Sequence, residues 1–295
     1  MDSSLAPGLE SSPRLRELVR FRRRLMGRPL ALVGVVLVAA FALVAILAPV
    51  ISPYAPSATH FGDLLKPPLS RGYLLGTDEL GRDELTRILW GSRVSMEASV
   101  FATLLAVLVG MPIGLVSGYY RGWLDPVVMR VTDLVLAFPY IIVAVGLAAI
   151  LGASLRNVVI ALAAAQLPNY VRIARAEALA VREEDYVRAA AVVGAGDLTI
   201  LGRHVLPNIF TPVLVQATAS IPVAILGEAL LSFLGLGVQP PTPSWGTMLS
   251  DAQSYIQQAP YLALLPGLSI FAATLAFNLL GDGIRDVLDP RGFAR

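Results

Sequence analysis

The sequence predicts an all-α, polytopic membrane protein, and three observations carry that prediction. Of 295 residues, 56% are apolar and only 15% are charged, where soluble domains carry about 25% charge. Long stretches hold no charged residue at all, Pro29 to Gly62 being the longest. The basic residues, 22 arginines and the single Lys66, flank these stretches rather than forming a separate basic domain. A water-soluble globule would need more polar surface, and a disordered chain more charge and less hydrophobicity. The same distribution argues against a nucleic-acid partner.

A crossing needs about 20 mostly apolar residues, because ~30 Å of hydrocarbon is covered at ~1.5 Å per residue. Six segments meet or approach this: Leu30–Ile51, Ala98–Tyr120, Leu134–Leu155, a shorter Asn157–Val171 interrupted by Pro168, Ile209–Leu236 and Tyr261–Gly281. The first is longer than the apolar core of a cleaved signal peptide, so it reads as a retained span. Seventeen basic residues fall before span one, between spans two and three, between four and five, and after six, whereas six fall on the other side. Basic connections face the cytoplasm, which places both termini inside a cell membrane and supports an even number of spans. The organisation expected is a cytoplasmic tail 1–29, a first span with its outer segment 30–91, a membrane domain 92–282 and a cytoplasmic tail 283–295.

Two connections are too long to be simple links. The outer stretch Ser52–Glu97 opens with the Pro-rich coil of Pro53, Pro56, Pro67 and Pro68 and turns helix-like from Asp83. The inner stretch Arg172–Asn208 far exceeds the about 2–8 residues of ordinary helix connections. Long ordered loops of that kind tend to carry function.

The chemistry the chain lacks narrows its class. It has no cysteine and two distant histidines, His60 and His204, so neither a cysteine-ligated nor a multi-histidine metal site is expected. GxxxxGK[ST], HExxH and GxSxG are absent, leaving no phosphate cradle, zinc-protease helix or nucleophile elbow. Ser232 and His204 could not form a dyad, being separated by roughly 25–30 residues, or about 40 Å of helix. Neither a catalytic residue nor a cofactor is expected. Glu228 is the one acid inside a span; it reads either as a gating or substrate-passage group or as a solvated or hydrogen-bonded structural acid.

Within the inner stretch, helix-forming residues run to Val193, with Leu179, Tyr186, Val187, Ala190 and Val193 as an apolar stripe. Gly194-Ala195-Gly196 stops this helix, and Asp197 is placed to cap a second, Leu198–Val205. Pro207 then suits the start of span five. The residues alone leave open a helix pair lying on the inner membrane surface or one projecting toward a partner.

This stretch resembles the EAA loop of binding-protein-dependent ABC importer permeases. That pattern is E-A-A, three residues, Gly, nine residues, then I-x-L-P. It aligns without a gap on Arg188-Ala189-Ala190, Gly194 and His204-Val205-Leu206-Pro207. Arg188 replaces the acid and His204 the isoleucine, departures that are similar to the dipeptide/oligopeptide/nickel branch. Three further segments resemble its C-type subunits: LLGTDELGRDELTRILWGSRVSMEAS, with Thr86 in place of the usual Ser; Leu231–Trp245, LSFLGLGVQPPTPSW; and Asn278–Arg291, NLLGDGIRDVLDPR.

The resemblance implies a six-helix ABC type-1 importer permease taking up dipeptides or oligopeptides by alternating access. It also implies a second, B-type permease subunit, two separate ATPase subunits and an extracytoplasmic solute-binding protein. Ni²⁺, glutathione or another small solute is the alternative cargo, and a stand-alone secondary carrier the alternative class. The implied ATPase-docking residues are Glu183, Glu184, Asp185, Tyr186, Arg188, Ala189, Ala190, Gly194, His204, Leu206 and Pro207. The outer signature is Gly76, Thr77, Asp78, Gly81, Arg82 and Asp83. It is expected either to seal an outer gate or receive the binding protein, or to form an Asp/Thr-capped turn locked by Arg82. Trp245 is expected to anchor its loop at the level of the lipid headgroups.

Overall fold

An uncharged run of this length can satisfy its backbone hydrogen bonds within its own segment only as helix, and helix is what forms. The computed structural model describes residues 29–288. In chain order the helices are α1 (Pro29–Ile51), α2 (Glu84–Tyr120), α3 (Leu124–Leu136), α4 (Tyr140–Leu151), α5 (Leu155–Arg182), α6 (Asp185–Val192), α7 (Asp197–Ile200), α8 (Leu206–Phe233), α9 (Trp245–Ala252) and α10 (Tyr261–Leu288). A π-helical turn, Leu201–Val205, fuses α7 to α8, giving one helix from Asp197 to Phe233. By length and composition four helices can cross a membrane, and the bent pair α3–α4 would make a fifth. The arginines between Arg14 and Arg28, together with Arg291 and Arg295, lie outside the described residues.

The principal seam joins α2 to α5. Ala98, Ala102, Ala106, Gly110, Gly114 and Gly118 recur every fourth residue and are all buried. A Cβ on Gly114 would stand 2.3 Å from the Val171 carbonyl oxygen, and one on Gly118 2.6 Å from that of Arg175. In lipid, small residues let helix backbones approach and gain dispersion energy that apolar collapse does not supply. The matched order of the contacts, Gly110 at Tyr170 and Gly118 at Ala178, makes the two helices parallel. On the opposite flank, Gly34 meets Leu280 and Gly283 meets Ala31, so α1 and α10 run antiparallel.

Two expectations about the spans need correction. Leu134–Leu155 is not one helix, because α3 and α4 meet at 90°. Pro139 has no N–H to donate and forces Phe138 away from helical geometry. Asp125 pairs with Arg175 and Asp133 with Arg172. Eight residues of α3, ~12 Å, therefore match three of α5, ~4.5 Å, so α3 lies crosswise to α5. Nor does the helix of span four end at Val171, since α5 continues to Arg182. Arg172 and Arg175 are held by the α3 carboxylates, and Arg182 lies 5.7 Å from the centre of the Tyr119 ring.

The bundle has two chemically distinct ends. One gathers residues 52–97, α9 and the start of α10, with the Tyr261 hydroxyl donating to the carbonyls of Lys66 and Thr77 at 2.9 and 2.8 Å. The other gathers α6, α7 and the end of α2, where Arg121 pairs with Glu183 and Tyr119 donates to Asp197. Gly281 lies beside Thr218, and Arg285 shares a cleft with Thr211, which brings the end of α10 toward this second end.

A candidate docking loop and a locked cap at opposite ends

The candidate docking loop, residues 172–208, is built by three local stops. Glu183 and Glu184 interrupt the helix, so the expected continuous helix through Val193 becomes the end of α5 and the separate α6. After α6 the Gly194 N–H donates to Ala191 and the Ala195 N–H to Ala190, both at 3.0 Å, with Gly194 at φ +86°. This is a Schellman closure, and its αL position favours glycine. The third stop differs from expectation: Gly196, not Asp197, is the cap of α7. The Asp197 carboxylate instead accepts from the Tyr119 hydroxyl at 3.0 Å, a partner that local capping rules do not reveal.

One apolar residue anchors α6. Val187 is buried and packs with Tyr119, Ala178, Ile200, Leu201 and Val205. Ala190 and Ala195 pack against the same cluster, the contact that accompanies a Schellman turn. The expected stripe is corrected at two positions: Tyr186 is exposed, and so is Val193. Val192, Val193 and Leu198 are 87%, 83% and 84% exposed, forming an apolar tip around Gly194. Val192 and Leu198 stand outside the residues expected to dock a partner. Their signal was an apolar pair beside a glycine turn without any helical partner position.

The polar candidates divide by partner. The Glu183 carboxylate accepts from both Arg121 and Arg188, and these guanidiniums, Arg188 foremost, hold its carboxyl below the ordinary range. Glu184, Asp185 and Ala189 are exposed, the acid at Asp185 suiting the first turn of α6. The Tyr186 ring lies 6.1 Å from the ring of His204. Asn208, not among the candidates, donates to the Tyr186 hydroxyl at 3.1 Å and to the His204 carbonyl at 2.6 Å, stitching α6 to α8. Leu206 and Pro207 follow the π-helical turn directly, so proline's missing N–H falls at the junction where the continuous helix passes from π to α hydrogen bonding.

At the other end the signature residues form a capped turn. Asp78 Oδ1 accepts from the N–H groups of Leu80 and Arg82 at 2.9 and 2.8 Å, while Oδ2 accepts from Arg82 Nε at 2.5 Å. Asp83 caps α2 by accepting from the Thr86 N–H and hydroxyl at 2.8 and 2.7 Å. Thr77 donates to the Asp63 carbonyl and accepts from the Lys66 N–H. Gly76 and Gly81 have φ +86° and +72°, and a Cβ on them would stand 2.4 and 2.0 Å from the carbonyl oxygens of Lys66 and His60. Arg82 and Arg87 then reach Asp251 of α9, at 3.6 and 3.2 Å. Burial raises the carboxyls of Asp251 and Glu79, whereas Lys66 lowers Asp63.

Glu228 and Trp245 knit this cap to the spans. Glu228 is fully buried, which removes the solvated reading of it, and its Oε1 accepts from the Ser232 hydroxyl at 2.7 Å. Trp245 is fully buried rather than set at a lipid interface. Its Nε1 donates to the Ile88 carbonyl at 3.2 Å, its ring meets Phe41 edge-on, and Gly91 leaves the space it fills.

The family described as "Binding-protein-dependent transport system inner membrane component" matches residues 110–292. The chain belongs to this permease family. The family described as "N-terminal TM domain of oligopeptide transport permease C" matches residues 18–68 of the permease. A dipeptide transport system permease protein of Haemophilus influenzae is 44% identical to it, over 88% of this chain and 90% of that protein. A di/tripeptide transport system permease protein of Pseudomonas aeruginosa is 46% identical over 88% of each. A glutathione transport system permease protein of Pectobacterium atrosepticum is 41% identical over 92% of this chain and 90% of that protein. The permease is thus a multi-pass inner-membrane transport subunit.

Proposed function

We propose that the permease imports dipeptides or oligopeptides as one of two membrane subunits, driven by two separate ATPase subunits that dock on α6 and its turn. An extracytoplasmic binding protein delivers the cargo. In this reading the chain makes six crossings, with α3–α4 as the third and α5 as the fourth, and both termini are cytoplasmic. The observation that carries it is the projecting loop: Val187 anchors it, a glycine turn fixes it, and Val192, Val193 and Leu198 form an apolar tip left uncovered among the described residues. Force applied there moves packed helices as rigid bodies between two arrangements, provided ATP binds the two states unequally. The outer cap, tied through Asp78, Arg82 and Asp251, serves as the seal or the binding-protein platform. Glutathione is a second cargo, favoured by the glutathione permease among the relatives.

Co-purification and reconstitution test the proposal. The tagged permease should bring down a second permease and two ATPases, and the complex should accumulate peptide in vesicles only with ATP and binding protein. The isolated permease, free of ATPases, should hydrolyse no ATP. A chain that purifies alone and transports without ATP would instead be a secondary carrier.

A further inference from the structure

The last turns of α10 and the first half of α8 enclose, with Ile173 of α5, a cleft of about 460 Å³. That lies within the range of small-molecule pockets, about 300–1,000 Å³. Its lining is apolar at Pro212 and Val215 of α8 and polar at Gln216 of α8 and at Asn278, Asp282 and Arg285 of α10. Ionisable groups in spanning helices face protein or water rather than lipid, so this lining marks a wet surface. Asp282 and Arg285 lie three residues apart on one helix face, yet neither has an ion-pair partner among the described residues. Opposite charges so placed, without a partner, suit a ligand carrying both signs.

We propose that this cleft is an inner-side subsite for short peptides with free termini, Arg285 taking the carboxylate and Asp282 the ammonium. The proposal rests on the peptide reading above and adds where the cargo lodges. An extended dipeptide spans at most about 7 Å, comparable with the ~5–6 Å between Cβ atoms of residues three apart once the long Arg285 side chain is allowed its reach. Gln216 and Asn278 each offer a donor and an acceptor, matching the peptide unit between the termini. The apolar lining at Pro212 and Val215 accepts side chains of varied shape.

The test uses the complete complex, nucleotide-free and without binding protein, and a dipeptide carrying a photoreactive diazirine leucine. Adducts mapped by mass spectrometry should fall on residues 211–219 and 278–285, and should be competed by dialanine but not by dialanine amide. R285Q should cut labelling about tenfold or more, the scale of a lost hydrogen bond to a charged group, and R285K should restore it to within about threefold. D282N should cut labelling similarly. Adducts elsewhere, or labelling unchanged in R285Q and D282N, would overturn the subsite. Uptake by wild-type vesicles separates the two levels: no peptide uptake defeats the cargo reading, whereas uptake without cleft labelling defeats only this inference.

Discussion

Replacing Gly194 isolates the turn that ends α6. Its φ is +86°, and a Cβ there would meet nothing within 4 Å, so any penalty is conformational rather than steric. An L-residue in this backbone region costs about 1–2 kcal/mol, with Asn the least penalised and a β-branched residue the most. Each ~1.4 kcal/mol is a factor of ten in the population holding the Schellman geometry. Gly194→Val should therefore lower coupled transport at least about tenfold, Gly194→Ala several-fold, and Gly194→Asn least. Membrane insertion and pairing with the second permease should be unchanged, since a side chain at Gly194 itself would meet no residue of the spans. The measurements are peptide uptake and ATPase activity of the reconstituted complex, with ATPase retention on purification. Full transport by Gly194→Val, or an order of effect in which Asn is worse than Val, would refute the assignment of this turn as the docking element.

Gly114→Val should disrupt the α2–α5 seam, because its Cβ would meet the Val171 carbonyl at 2.3 Å and overpacking costs about 1–3 kcal/mol or more. Gly146→Ala, with nothing within 4 Å, should be tolerated in the same detergent thermal-unfolding assay. Trp245→Ala should lower stability by about 3–5 kcal/mol, and Trp245→Phe by less, since it forfeits mainly the hydrogen bond to Ile88. Val187→Ala should uncouple ATPase from transport more than Glu183→Gln, because it removes two buried methyl groups worth ~1.6 kcal/mol whereas the ion pairs of Glu183 lie at an exposed, solvent-screened surface. Reporter groups at Ser12 and Gln239 should label opposite faces of the membrane; labelling on one face would remove the six-crossing topology.

What was legible in the sequence is what local chemistry decides. The start of α2 at Asp83, the stop at Gly194 and the helix at Pro29–Ile51 follow from caps, glycine and an uncharged run. The bend at Phe138-Pro139 was also written locally, but hydropathy averaged over the segment conceals a single proline. The extension of α5 was hidden for the opposite reason. Arg172, Arg175 and Arg182 read as loop residues until Asp133, Asp125 and Tyr119 are brought alongside. Trp245 and Asp197 were misplaced because their partners, Ile88 and Tyr119, are 157 and 78 residues away. The alanine–glycine ladder of α2 was visible at a period of four, and it is the one long-range contact the spacing alone could have supplied.

That ladder also bears on how the two ends communicate. α2 is one continuous helix of 37 residues, ~55 Å long, and each of its ends is fastened to a different candidate site. At one end Asp83 caps it within the turn locked by Asp78 and Arg82. At the other Arg121 grips Glu183, and Tyr119 packs in the cluster that seats Val187. Between them, Gly110, Gly114 and Gly118 bring its backbone so close to α5 that a Cβ on any of them would stand within 3.0 Å of that helix. Asp125, held by Arg175 and by Ser117 of α2, pins the crosswise α3 to the same pair. A displacement of α6 therefore enters a unit that resists shear along its length, and the compliance must lie elsewhere. The 90° α3–α4 junction and the π-helical turn Leu201–Val205 that leads into α8 are where the α-helical ladder is broken outright, whereas Pro112 and Pro168 sit within the packed α2–α5 pair. If α6 is the docking element proposed above, packed interfaces switching between discrete arrangements would make α2 and α5 the lever and these two broken junctions the hinges.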